Sequence, residues 1–130
     1  PWYAFQIARI EQNLQEPVVR VGHIDDKRNF THVKDMVRAY WDAMNYCAPG
    51  ELYLIGSNRK KDTHTFRSAL ERLIHLSSSK PITYTIDPKY VRPTQVPFLI
   101  CDPSKFTACT NWSPTFDFEK ILIDTLNYVY

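Results

Sequence analysis

Residues 33–55 read VKDMVRAYWDAMNYCAPGELYLI, and the reading of the whole chain turns on them. Val33, Met36, Val37, Tyr40, Trp41, Met44 and Cys47 recur at intervals of three and four, the spacing that lines one face of an α-helix. Thr31 is placed to cap this helix, and Pro49-Gly50 ends it. LYLI at 52–55 then carries apolar side chains on both faces, the pattern of a strand buried in a parallel or central position. On this reading Trp41 lies in the core.

Working outward, the flanks alternate in the same way. Ile7, Ile10 and Leu14 share a helical face that Glu16-Pro17 closes, and VVRV at 18–21 is a short strand stopped by Gly22. Phe66, Ala69, Leu70, Leu73 and Ile74 make a third helix, followed by Ser77-Ser78-Ser79-Lys80-Pro81. ITYTI at 82–86 alternates as a strand, and Phe118, Ile121, Leu122, Thr125, Leu126 and Val129 form a terminal helix that starts near Thr115 or Asp117. The expected helices lie near 3–15, 31–47, 64–77 and 116–128, the strands near 18–21, 52–55 and 82–86, with 87–101 irregular. The result is a mixed α/β chain in which helices dominate. It has no internal repeats, low-complexity tracts or obvious linkers.

Composition narrows the function classes. A length of 130 residues fits one domain, 1–130, with a modest core, and 44% hydrophobic content is a globular value. Sixteen basic against fourteen acidic residues leave +2, too balanced to point to nucleic acid. Cys47, Cys101 and Cys109 are odd in number and lack paired zinc spacing, and His23, His32, His64 and His75 do not cluster with them. A reducing, cytoplasmic setting suits such cysteines better than a secreted disulfide framework. No apolar run approaches the length of a membrane span, and no signal peptide opens the chain. It begins Pro-Trp-Tyr without methionine, as a piece of something longer would.

Catalytic motifs are missing. With Gly22, Gly50 and Gly56 as its glycines, the chain has no G-x-G-x-x-G or Walker loop. No tyrosine is followed four residues on by lysine, and neither G-x-S-x-G nor H-E-x-x-H occurs. Arg59-Lys60-Lys61 reads as a solvated turn rather than a phosphate site. One stretch stands out. In DPKYVRPTQVPFLICDPSK, 87–105, prolines bracket Arg92: Pro93 disfavours helical dihedrals at Arg92 and its own φ is locked. Either this is a proline-rich surface loop with an incidental arginine, or the stiff backbone aims a guanidinium.

Four segments carry a resemblance: KRNFTHVKDMVRAYWDAM (27–44), GELYLIGS (50–57), RPTQVPFLICDPSK (92–105) and NWSPTFDFEKILIDTLNYV (111–129). In order and spacing they resemble the C-terminal, substrate-binding portion of extended short-chain dehydrogenase/reductases. These form the NAD-dependent epimerase/dehydratase family, and the pattern is most similar to its GDP-mannose 4,6-dehydratase and GDP-4-keto-6-deoxy-mannose reductase branch. The resemblance implies the helix-rich C-terminal portion of an extended Rossmann-type fold with short strands, the Rossmann cofactor half being absent. It also implies that two arginines clamp the diphosphate of a nucleotide sugar, GDP-sugar favoured. Here these are Arg28, in Lys-Arg-Asn-Phe, and Arg92, in Arg-Pro-Thr-Gln-Val, expected to converge on one concave surface with Gln95 at the ribose. Arg28 has a second reading, as an ion-pair partner of Asp25, Asp26 or Asp35. Asp35 reads as structural, and Asp102 and Ser104 as caps of a short helix containing Lys105.

Departures from the family pattern are as informative. Gln95 stands where an acid commonly holds the ribose hydroxyls, Asn29 replaces an Asp, and His32 sits where another acid is common. Cys101 and Asn111 each replace a glycine. The glycine-rich cofactor loop, the Ser/Thr and the Tyr-x-x-x-Lys pair belong to the half not covered. The implied parent is a homo-oligomeric, NAD- or NADP-dependent sugar-nucleotide reductase, dehydratase or epimerase. This chain supplies its substrate grip but no catalytic residue and no cofactor or metal site, and its LYLI strand would lie against the Rossmann half. The alternative is a free-standing small binding or interaction domain of the same ancestry.

Overall fold

The computed structural model describes residues 1–77, 81–94 and 96–130. Their elements run α1 (Trp2–Glu11), β1 (Val18–Val21), β2 (Lys27–Asn29), α2 (Val33–Tyr46), β3 (Thr63–Thr65), α3 (Phe66–Leu76), β4 (Thr83–Ile86), β5 (Phe98–Leu99), α4 (Ser104–Thr110) and α5 (Phe118–Val129), with single 3₁₀ turns at Lys60–Asp62 and Pro88–Tyr90. The chain divides into two compact units. Unit 1 holds Pro1–Asp26, Thr65–Pro97 and Leu122–Tyr130, and unit 2 holds Lys27–His64 and Phe98–Ile121.

In unit 1, β1 and β4 form a parallel pair, with Val18 opposite Thr83 and Val21 opposite Ile86. Parallel strands need a long connection, and some sixty residues separate these two. The inward positions Val19 and Val21 are buried together with Ile7, Ile10, Ile24, Leu70, Leu73 and Leu126. Gln6 is buried among them and stays satisfied. Its amide nitrogen donates to the Arg20 carbonyl and its oxygen accepts from the Arg20 N–H, both at 2.9 Å, so the side chain pairs with β1 as a strand backbone would. Thr65 caps α3 by accepting from the Ser68 N–H at 3.0 Å.

α1 ends at Glu11, earlier than the expected 15. The amphipathic period continues to Leu14, but Asn13 takes a left-handed φ of 60° and the Leu14 N–H turns back to the Arg9 carbonyl. Asparagine tolerates that conformation, so the helix closes before Pro17 is reached. Leu14 is left exposed.

Unit 2 carries a sheet in the order β3-β2-β5, with β2 and β5 parallel. Its core is Ala39, Phe106 and Trp112, with Ala43, Cys47, Tyr53 and Ile55 packed against it. Three sequence expectations fail here. The cap of α2 is His32, not Thr31: its Nδ1 accepts from the Lys34 N–H at 3.0 Å. Residues 52–55 form no strand and pair with none among the described residues, and Leu52 and Leu54 are exposed while Tyr53 and Ile55 pack against the core. Trp41 is 68% exposed, and the buried tryptophan is Trp112. The helix does bury one face, but that face is Asp35, Ala39 and Ala43, and the larger apolar stripe points outward. Periodicity reveals that a helix has a face, not which face is covered at a given moment.

The segment 87–101 is less irregular than expected. It contains the 3₁₀ turn Pro88–Tyr90 and the two-residue strand β5. No helix runs through its described residues between Arg92 and Pro97.

Candidate functional site

The Arg92 segment is built from unit 1. Asp87 opens it: its carboxylate accepts from the Lys89 N–H at 3.0 Å, and its own N–H donates to the Val21 carbonyl at 2.8 Å. Arg20 lies 3.5 Å from the same carboxylate. The turn then crosses Gly22 at close quarters. A side chain there would collide with the Tyr90 carbonyl, its Cβ lying 2.8 Å from the carbonyl carbon. Gly22 therefore does more than stop a strand, since it lets the 88–90 turn sit down on the end of β1. Tyr90 packs on Trp2, ring centroids 6.3 Å apart. Arg92 follows two residues later, exposed, and among the described residues nothing holds its guanidinium by hydrogen bond or ion pair.

Arg28 belongs to unit 2. It is half-buried in β2, in register with Leu99 of β5, and its Nη1 donates to the Lys27 carbonyl at 2.8 Å. Gln95 lies outside the described residues.

Around Arg28 the departures from the family pattern acquire physical roles. Asn29 donates to Thr63 Oγ1 at 2.9 Å and accepts from the Cys101 N–H at 2.7 Å, bracing β2 from both sides as an amide can and an ionised carboxylate, an acceptor only, cannot. His32 performs the capping an acid would perform, and its ring stacks on Phe116 at 4.3 Å. Cys101 fills the space left open at Gly56, where an added Cβ would come within 2.9 Å of the Cys101 Cβ. Asn111 ends α4 with a left-handed φ of 56°, the conformation glycine adopts most easily and asparagine next.

Asp35 anchors α2 to the 113–116 turn and is fully buried. It accepts from the Thr115 N–H (2.9 Å) and hydroxyl (2.8 Å), the Phe116 N–H (3.0 Å) and Arg38 (3.0 Å). Burial works to raise its carboxyl, but the Phe116 N–H, the Thr115 hydroxyl, Arg38 and the Thr115 N–H together outweigh it and hold the group below the usual carboxylate range. It is structural, as expected. The N-cap position of α4 is Pro103 rather than Asp102 or Ser104, because Ser104 is already the first helical residue; Asp102, one residue ahead of the cap, accepts from the Ser104 N–H at 3.1 Å.

The basic run at 59–61 is no phosphate site at its first residue. Arg59 is pinned to buried Asp62 at 2.6 Å and reaches the Pro114 carbonyl at 3.4 Å. Among the described residues no group of three His, Cys, Asp or Glu side chains could hold a metal ion, and no helix is long and apolar enough to cross a membrane. Of the glycines, Gly22 lies against Tyr90 and Gly56 against Cys101, while Gly50 stands in open space just after α2.

The architecture is that of part of an extended Rossmann-type dehydrogenase/reductase. The solved structure of RMD from Pseudomonas aeruginosa complexed with NADPH superposes with a TM-score of 0.84 at 24% identity, over 98% of this chain and 40% of that one. The model of the GDP-mannose 4,6 dehydratase family matches residues 4–125, and the chain belongs to that family. The GDP-mannose 4,6 dehydratase of Drosophila melanogaster is 27% identical over 124 residues, which cover 82% of this chain and 30% of that protein. The GDP-6-deoxy-D-mannose reductase of Pseudomonas aeruginosa is 26% identical, over 92% of this chain and 38% of its own length. The chain thus spans about a third of the length of the curated relatives it matches.

Proposed function

We propose that this chain is the nucleoside-diphosphate-sugar grip of an NAD(P)-dependent sugar-nucleotide reductase or dehydratase, with Arg92 and Arg28 as its phosphate ligands, Gln95 at the ribose and a GDP-sugar as the favoured ligand. On this reading it carries no catalytic residue. The observation that carries the proposal is Arg92 itself. Its backbone follows a turn fixed by Asp87, Gly22 and Tyr90, and its guanidinium stands exposed and unengaged among the described residues of a chain from the GDP-mannose 4,6 dehydratase family. A guanidinium presents a planar fork that matches two phosphate oxygens, which an ammonium cannot do. Pro93 lowers the entropy lost when the segment orders around a ligand.

Calorimetric titration of GDP into the wild-type chain, Arg92→Ala and Arg92→Lys tests this. One lost charge-assisted contact corresponds to about one to two powers of ten in Kd for Arg92→Ala, with Arg92→Lys recovering only part. Melting temperatures should stay together, because among the described residues nothing is held by the Arg92 side chain. Equal GDP affinity in all three proteins returns Arg92 to an incidental surface residue.

A further inference from the structure

Within unit 2, the end of α2 meets α4 around two thiols. Ala39, Ala43 and Cys47 recur every four residues along α2, and all three belong to the core around Phe106 and Trp112. α4 packs against α2 and brings Phe106 to that core, with Cys109 three residues further along the same helix. Cys47 is half-buried and Cys109 exposed.

Two further side chains tie the thiols into one cluster. The Tyr53 hydroxyl accepts from the Ala48 N–H at 3.0 Å and hydrogen-bonds the Cys47 sulfur. Lys105, one turn before Cys109 on α4, sits over the Tyr53 ring at 4.6 Å. Its ammonium is held by the Glu51 carboxylate at 2.8 Å and the Leu52 carbonyl at 2.9 Å, and it interacts electrostatically with both sulfurs. The two thiols also interact with each other. Desolvation, Cys109 and Asp42 push the Cys47 thiol up, against the pull of Lys105 and Tyr53, so Cys47 stays protonated at neutral pH. Cys109, out in solvent, is the sulfur that an oxidant meets first. Cys101 stands apart: its Sγ lies against Gly56, and its charged neighbour is Asp102.

We propose that Cys47 and Cys109 are a redox-sensitive pair, oxidised by hydrogen peroxide to a disulfide that staples the end of α2 to α4. The Cys109 sulfur attacks the O–O bond, which breaks as an S–O bond forms, and one water leaves. Cys47 then attacks the sulfenic acid at Sγ of Cys109. An S–S bond forms, the S–O bond breaks, and the departing hydroxide takes the Cys47 proton as a second water. Two thiols thus give up two electrons to one peroxide. The pair stands some sixty residues apart in sequence, so closing it removes much of the freedom of the unfolded chain. The proposal rests on this cluster and not on the phosphate grip.

The test adds hydrogen peroxide to the pre-reduced full chain and reads the product by thiol titration, peptide mass mapping and thermal melting. The expected product has lost two of its three thiols and carries a Cys47–Cys109 cross-link within one chain. It should melt about 5 °C or more above the reduced chain, and dithiothreitol should reverse both changes. In Cys47→Ser, dimedone should trap a sulfenic acid at Cys109. In Cys109→Ser, Cys47 should oxidise about tenfold more slowly or less. Cys101→Ala should still form the cross-link. The pair is refuted by a chain that keeps all its thiols, by Cys109 oxidised to sulfinic acid with Cys47 left reduced, or by cross-links that run between chains or include Cys101. A cross-link that leaves the melting temperature unchanged or lowers it overturns the staple.

Discussion

The Asp35 carboxylate is closed off from solvent and takes four hydrogen bonds, two of them from backbone N–H groups of the 115–116 turn. Asparagine at this position keeps the shape but can accept through one oxygen only, so at least one N–H is left facing another N–H. The expected cost of Asp35→Asn is about 2–3 kcal/mol by urea denaturation, the range for stranding a buried polar group. The difference should depend on pH with a definite sign. Because the folded-state carboxyl titrates below its ordinary value, the stabilisation is complete above about pH 4 and fades as pH falls through the folded value. Wild type and Asp35→Asn should therefore converge in strong acid and diverge towards neutrality. A gap that stays constant from pH 2 to pH 7 would show that the charge of Asp35 plays no part.

The contact between β1 and the Pro88–Tyr90 turn shows how little sequence is needed to place a turn against a strand end. Three residues do it: Asp87 as cap, Gly22 as the position without a side chain, and Tyr90 above it. Gly22→Ala puts a methyl group into the Tyr90 carbonyl, so the turn must lift away from β1. Overpacking of this kind costs about 1–3 kcal/mol. It should also weaken GDP binding, because Arg92 sits two residues beyond the displaced carbonyl. Arg92→Ala should cost affinity alone, whereas Gly22→Ala should cost both affinity and melting temperature. Thermal melts run beside the titrations separate the two patterns. Unchanged stability in Gly22→Ala would mean that the turn is not held where the structure puts it.

The described residues form two compact units, and the sequence carries no glycine-rich dinucleotide loop. The isolated protein is accordingly expected neither to bind NAD(H) or NADP(H) measurably nor to turn over a sugar nucleotide. Tryptophan fluorescence titration with NADPH and absorbance at the nicotinamide band, with a 4-keto sugar nucleotide present, provide the check. Steady NADPH oxidation by the purified chain would overturn this view of how the work is divided.

Much of this was legible in the residues. The periods of α2, α3 and α5 and the alternation of β1 and β4 are local properties, written in neighbouring side chains. The kinship was legible too, because motif order survives where single positions drift. What local patterns could not give was the pairing of each apolar face. Residues 52–55 and the Trp41 stripe read as buried because apolar side chains favour burial, yet burial needs a partner, and sequence period does not name one. Nor could the Gly22–Tyr90 contact, the three bonds that Asp35 accepts from Thr115 and Phe116, or the brace of Asn29 be read in advance. Each joins residues more than thirty positions apart, and a long-range contact is settled by how the chain closes on itself rather than by what stands next to each residue.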